Sequence, residues 1–270
     1  MMSGVSDRYD FARWLATHAG ARALGYWQDR ARLVVELKGP QDFVSHADRD
    51  VENLIRNQLA ARFPGDAFLG EETASAFSGP LDRCWVVDPI DGTHNFLRGI
   101  PYWNVAIAYV LEGRAHCAAV FDPVHDELFH ASRGQGAWCE RAGARDRLRT
   151  ADTASLAGAL VALGHHDRAP DDDYLRIRAA MMEAGVSMRN FGSAALQLAH
   201  VAQGRLDGFV ELQLSVWDAI GGLAIVEEAG GYAAPFGEGG ATRKMPCLAC
   251  APGIAEALVG LTGVGLADAS

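Results

Sequence analysis

The chain has 270 residues, 49% of them hydrophobic and 21% charged, with a formal net charge of -10. That length suffices for one large domain or two packed lobes around a sizeable core. The acidic balance argues against nucleic acid as the main partner, because a phosphate backbone needs a surplus of Lys and Arg on one face, and no apolar run approaches the roughly 20 residues of a membrane helix. The opening MMSGVSDRYD is polar and lacks a signal-peptide core. We therefore expect a cytoplasmic protein whose five cysteines, Cys84, Cys117, Cys139, Cys247 and Cys250, are reduced. Cys247 and Cys250 form a CxxC without a second pair or histidines at zinc spacing, and their apolar neighbours read as buried strand.

Apolar positions at helical spacing predict a long amphipathic helix over residues 7–30. A turn at Lys38-Gly39-Pro40 follows. Ser45 with Asp48 resembles a capping box, and Val51, Leu54, Ile55 and Leu59 line one face of a second helix that stops before Pro64-Gly65. Two helices are thus expected before any sheet. Short apolar runs at 67–69, 84–87, 105–111, 116–121 and 127–131, separated by Gly, Asp and Pro, then predict one meandering sheet. Beyond it come a strand at 159–163, helices over 172–184 and 193–203, and a strand at 208–213. A helix over 217–229 is halted by Gly230-Gly231, and a strand at 247–251 and a helix over 254–261 close the chain. The pattern predicts an α+β fold whose lobes, 1–150 and 151–270, pack as one unit.

The segment Trp85-Val-Val-Asp88-Pro-Ile-Asp91-Gly-Thr93-His-Asn-Phe96 holds the richest chemistry. An apolar strand delivers two aspartates into a turn controlled by Pro89 and Gly92, where both carboxylates can converge on one hard cation such as Mg²⁺. Thr93 opens a short helix whose free N–H groups suit phosphate. Gly70-Glu71-Glu72 ends a preceding strand, and Trp217-Asp218 opens a helix far along the chain. Taken singly, the paired aspartates read as a helix-capping turn, Glu71 and Glu72 as surface charge, and Asp218 as a first-turn acid. Acidic residues just beyond apolar strands seldom serve packing, and together they point to a metal site.

These residues resemble the inositol monophosphatase family of metal-dependent, lithium-sensitive phosphatases, over nearly the whole chain. Its two signatures stand here as WVVDPIDGTHNF (Trp85 to Phe96) and WDAIGGLAIVEEAGG (Trp217 to Gly231), joined by GEE at Gly70 to Glu72 and GSAALQLA at Gly192 to Ala199. The resemblance implies a layered α-β-α-β-α sandwich of the inositol monophosphatase/fructose-bisphosphatase type, assembled as a homodimer. It implies two or three Mg²⁺ per site: Glu71, Asp88 and the Ile90 carbonyl would hold the first, and Asp88, Asp91 and Asp218 the second. Glu72 would support them, and Lys38 and Asp48 would belong to a segment covering the site. Thr93, bonded toward Glu71, would orient the attacking water; phosphate would lie on the amides of Gly92 and Thr93.

Glu211 would accept hydrogen bonds from ring hydroxyls, with Ala194 and Ala195 as the opposite wall offering backbone groups. His94, beside Thr93, is expected to face outward or to the substrate rim. The implied reaction is in-line attack by a Mg-activated water on a small polyol phosphate, inositol 1-phosphate first. Histidinol phosphate, fructose 1,6-bisphosphate and nucleotide 3'-phosphates are the alternatives within the same fold. Some relatives bind the transcription machinery, a regulatory role that the intact set Glu71, Asp88, Asp91, Thr93 and Asp218 disfavours as the sole function. The partner is then a small phosphorylated metabolite, with neither membrane nor direct nucleic-acid binding expected.

Overall fold

A computed structural model of the chain describes residues 2–30, 33, 35–39, 42–165, 171–236 and 243–265. Helix α1 (Met2–Gln28) buries Tyr9, Ala12, Leu15, Ala16, Ala19 and Ala23, a stripe at three- and four-residue spacing. Strands β1 (Val35–Gly39) and β2 (Asp42–Ser45) pair antiparallel before α2 (His46–Arg62) begins. A two-stranded ribbon therefore precedes the second helix, against the expectation of two helices before any sheet. Strands this short carry too few alternations to register as strands in the sequence. The capping box is as expected: the Ser45 N–H donates to Asp48 Oδ2 at 2.8 Å, and Ser45 Oγ accepts the Ala47 N–H at 3.1 Å.

The next strands are β3 (Ala67–Gly70), β4 (Cys84–Asp91), β5 (Asn104–Leu111), β6 (Arg114–Asp122), β7 (Glu127–Ser132), β8 (Ala137–Arg141) and β9 (Ala144–Arg147), with helix α3 (Thr93–Arg98) after β4. Among the described residues they form one seven-stranded sheet in sequence order, β3 parallel to β4 and the rest antiparallel. Strands β8 and β9 extend the predicted meander; β9 is exposed throughout, so no hydrophobic alternation marks it.

The second half contains β10 (Leu160–Leu163), α4 (Asp171–Glu183), β11 (Ser187–Arg189), α5 (Ala194–Ala202), β12 (Gly208–Leu214), α6 (Val216–Glu228), β13 (Tyr232–Ala233), β14 (Met245–Cys250) and α7 (Ala255–Thr262). Among the described residues its strands form a five-stranded sheet in the order β11-β10-β12-β14-β13.

Strand alternation sorts the core into layers. Val105, Ile107 and Tyr109 of β5 pack with Leu15 of α1 and Ile55 of α2, while Ala106, Ala108 and Val110 face Leu198 of α5 and Ile225 of α6. Phe209 and Ala249 of the second sheet meet the same two helices, and Val210 and Leu248 pack outward on Ile177 of α4 and Leu258 of α7. The result is the α-β-α-β-α sandwich expected. Cys247 lies in the inner cluster and Cys250 in the outer one, and all five cysteines are buried free thiols. No described helix is long and apolar enough to cross a membrane.

Candidate metal centre

Asp88 pairs with Ala106 on β5 and Asp91 with Asn104, so two residues of β4, Pro89 and Ile90, oppose one of β5, Val105. Residues three apart on a regular strand face opposite sides of a sheet; the extra residue of this bulge turns Asp91 to the side of Asp88. Pro89 suits the bulge because it has no N–H to offer the ladder. Asp88 Oδ1 accepts the Ile90 N–H at 2.9 Å, which tightens the turn. Gly92 follows with φ +90°, and a Cβ there would lie 3.1 Å from the Gly192 and Tyr102 carbonyls and the Ser193 Cβ. Both the left-handed backbone and the crowding require glycine.

Asp91 is held from the other half of the chain. Its Oδ2 accepts Ser193 Oγ–H at 2.7 Å, the Ala195 N–H at 2.8 Å and Asn104 Nδ2–H at 2.7 Å, and its Oδ1 accepts the Ala194 N–H at 3.2 Å. The start of α5 thus binds this carboxylate as it would a free anion. Asp218, the third residue of α6, accepts the Ser215 N–H on Oδ2 at 3.1 Å. One carboxylate oxygen each from Asp88, Asp91 and Asp218 lies within 4.8 Å of the others, the metal-type cluster found among the described residues.

Gathering these charges away from water is costly, and the ionisation of each acid records it. Burial first, then Glu71, Asp91 and Asp218, holds the Asp88 carboxyl well above the carboxylate range. Asp91 is raised by burial against the lowering effect of its bonds from Ser193, Asn104, Ala195 and Ala194. Burial and the charge of Asp91 push Asp218 up to about 7. Glu211, half-buried on β12 opposite Cys247, is raised to about 8 by burial, then by Asp218 and Asp91, with Lys244 opposing. A divalent cation among these oxygens would favour the charged form of each acid.

The other expected residues divide. Glu71 leaves the β3–β4 ladder with its N–H on the Val87 carbonyl at 3.1 Å and acts electrostatically on Asp88, though it is outside the trio. Thr93 sets its hydroxyl 3.0 Å from the Ile90 carbonyl and 3.4 Å from Asp48 Oδ1. Two helices decide this, because the buried N-terminal turn of α2 brings Asp48 to the start of α3. The amides of Ala194 and Ala195, expected to meet substrate hydroxyls, are given to Asp91. His94 is exposed and joins no metal-type cluster among the described residues. Lys38 falls on β1, and its side chain lies outside the described residues.

Three supporting residues escaped the sequence reading. Asn104 and Ser193 hold Asp91 and also bond each other at 2.9 Å. Glu52, on α2, is 1% exposed and accepts the Glu72 N–H at 2.8 Å. Ser193 stands inside the GSAALQLA motif, which is a usable signal; a lone Asn on a strand or Glu on a helix is none.

The sequence pattern of the inositol monophosphatase family matches residues 5–261. The inositol-1-monophosphatase of Rhizobium meliloti is 40% identical over 220 residues, 81% of each chain. Nus factor SuhB of Escherichia coli is 38% identical over 201 residues, 74% of each chain. Among solved structures, extragenic suppressor protein SuhB from Bartonella henselae superposes with a TM-score of 0.83 at 34% identity, over 98% of this chain and 99% of that one. Matches of this extent, on a layered fold with three converging aspartates, mean that the chain belongs to the inositol monophosphatase family.

Proposed function

We propose that this phosphomonoesterase acts on a small polyol phosphate, inositol 1-phosphate first, with Mg²⁺ held by Asp88, Asp91 and Asp218 together with Glu71 and the Ile90 carbonyl. The observation that carries the reading is the convergence of three carboxylate oxygens within 4.8 Å. An all-oxygen donor set suits a hard dication, and buried like charges left without one are strongly unfavourable. The number of ions is two or three.

When bound, Mg²⁺ neutralises the phosphate dianion, acidifies water and stabilises the leaving alkoxide. The protein's own groups supply orientation. The Thr93 hydroxyl, between the Ile90 carbonyl and Asp48 Oδ1, is suited to hold the attacking water and to pass its proton toward Asp48. The amides of Gly92 and Thr93, at the start of α3, would receive the phosphate oxygens, and Glu72 would buttress Glu71 from the next position. Glu211 would accept hydrogen bonds from the leaving group's hydroxyls, which favours a polyol over an apolar alcohol.

The same surfaces are expected to be presented by a homodimer sensitive to lithium, and a regulatory role in transcription, suggested by the Nus factor name of the SuhB relatives, would be additional to catalysis. The test is phosphate release from a panel of about a dozen metabolites, including inositol 1-phosphate, histidinol phosphate, fructose 1,6-bisphosphate and nucleotide 3'-phosphates, with Mg²⁺ and with EDTA. Preference for inositol 1-phosphate that vanishes in EDTA is the expected result. Turnover that survives EDTA would overturn the metal reading, and preference for another member of the panel would replace the substrate.

A further inference from the structure

Helix α2 turns two buried acids toward the site, Asp48 and Glu52, one helical turn apart and each 1% exposed. Buried carboxylates persist only where they are bonded, so their partners are informative. Asp48 serves the capping box and approaches Thr93. Glu52 serves a different loop. Its Oε2 accepts the Glu72 N–H at 2.8 Å, its Oε1 accepts Thr73 Oγ1–H at 2.8 Å, and Arg56 donates to the same Oε1 at 2.8 Å while also touching the Thr73 hydroxyl.

The carboxylate also fixes the position before Glu71. A Cβ built on Gly70 would fall 2.3 Å from Glu52 Oε2 and 2.5 Å from its Cδ, so the acid occupies the space a side chain would need. Glu71 is therefore flanked by a residue packed against Glu52 and a residue hydrogen-bonded to it, while its own N–H continues the ladder to Val87, the neighbour of Asp88. Three consecutive backbone positions are held in this way, which fixes the point from which the Glu71 side chain starts.

We propose that Glu52 is a positioning residue for the metal centre: by holding the loop at Gly70, Glu72 and Thr73 it presents the Glu71 carboxylate beside Asp88 and so sets the affinity for the cation between them. This rests on the reading of Glu71 as a metal ligand. Groups that orient a ligand without touching the ion typically change metal affinity by about 10- to 100-fold when removed. Glu52→Gln preserves size and the bond from Thr73, but it turns an amide donor toward the Glu72 N–H, so the loop is released where it matters.

The experiment measures Mn²⁺ binding by calorimetry, thermal stability, and kcat at saturating Mg²⁺ in the full chain and in Glu52→Gln, Glu71→Gln and the double variant. Glu52→Gln is expected to weaken Mn²⁺ binding about 10-fold while kcat at saturating metal falls less than about 3-fold. Because it acts through Glu71, adding it to Glu71→Gln should weaken binding by less than about 2-fold more. Full additivity in the double variant, or unchanged affinity in Glu52→Gln, would overturn the proposal alone. Unchanged affinity in Glu71→Gln would remove the ligand reading and the proposal with it. Should Glu52→Gln fold poorly, Thr73→Val, which deletes one of the donors, decides in its place: normal Mn²⁺ affinity there would equally refute the role.

Discussion

Ser193 Oγ donates to Asp91 Oδ2 at 2.7 Å across 102 residues of sequence. The contact joins the start of α5 to the end of β4, so the cluster of three aspartates is complete only when the middle helical layer has docked on the seven-stranded sheet. Ser193→Ala removes this donor and leaves Asn104 and the Ala195 amide in place. We expect metal affinity and kcat/KM each to drop about 10-fold in a folded protein, as when an orienting partner of a ligand is lost. A Mg²⁺ titration of activity with a parallel melting curve checks this; an unchanged half-saturating Mg²⁺ would show that Asp91 needs no help from α5.

Asp218 links ionisation to stability. Its folded-state pKa of about 7 lies above the ordinary carboxylate value, so without metal the folded protein binds a proton that the unfolded chain has released. That contribution is present at acid pH and is lost as pH rises through 7. At pH 8 in EDTA, Asp218→Asn should therefore melt above the parent chain, by about 2–6 °C, because a neutral amide replaces a buried, repelled charge. With saturating Mg²⁺ the order should reverse, and activity should fall on the order of 10²-fold or more. The paired melting curves are the measurement; a variant less stable than the parent in EDTA would mean that the carboxylate is not under electrostatic strain.

A charge swap at Glu211 should separate substrate classes. In Glu211→Gln a polyol keeps an acceptor and should lose about 1–2 kcal/mol of binding, whereas an ammonium-bearing substrate loses its counter-charge and should lose about 2–4 kcal/mol. Comparing kcat/KM for inositol 1-phosphate and histidinol phosphate in both proteins distinguishes them. No change for either would place Glu211 outside the substrate's reach.

Lithium should inhibit. Li⁺ is close to Mg²⁺ in size with half its charge, and at a weakly held position it would leave phosphate bound but poorly released. The rate is measured against LiCl with NaCl matched for ionic strength. Equal effects of the two salts would place the chain among lithium-insensitive relatives.

Residue type and local order alone determined much of this protein. The two sheets' principal strands, the capped second helix and the Asp88, Asp91 and Asp218 positions were legible, because strand alternation, helix caps and acids at the ends of apolar runs are local signals. Spacing alone would have put Asp88 and Asp91 on opposite faces of β4. Only the pairing with β5 supplied the bulge that turns them to one side. Tertiary structure likewise gave the Ala194 and Ala195 amides to Asp91, brought Asp48 to Thr93, and set Glu52 under the Glu71 loop. Such partners lie 20 to 104 residues apart. No periodicity connects them, and a buried carboxylate takes whichever donors the packed layers bring within reach.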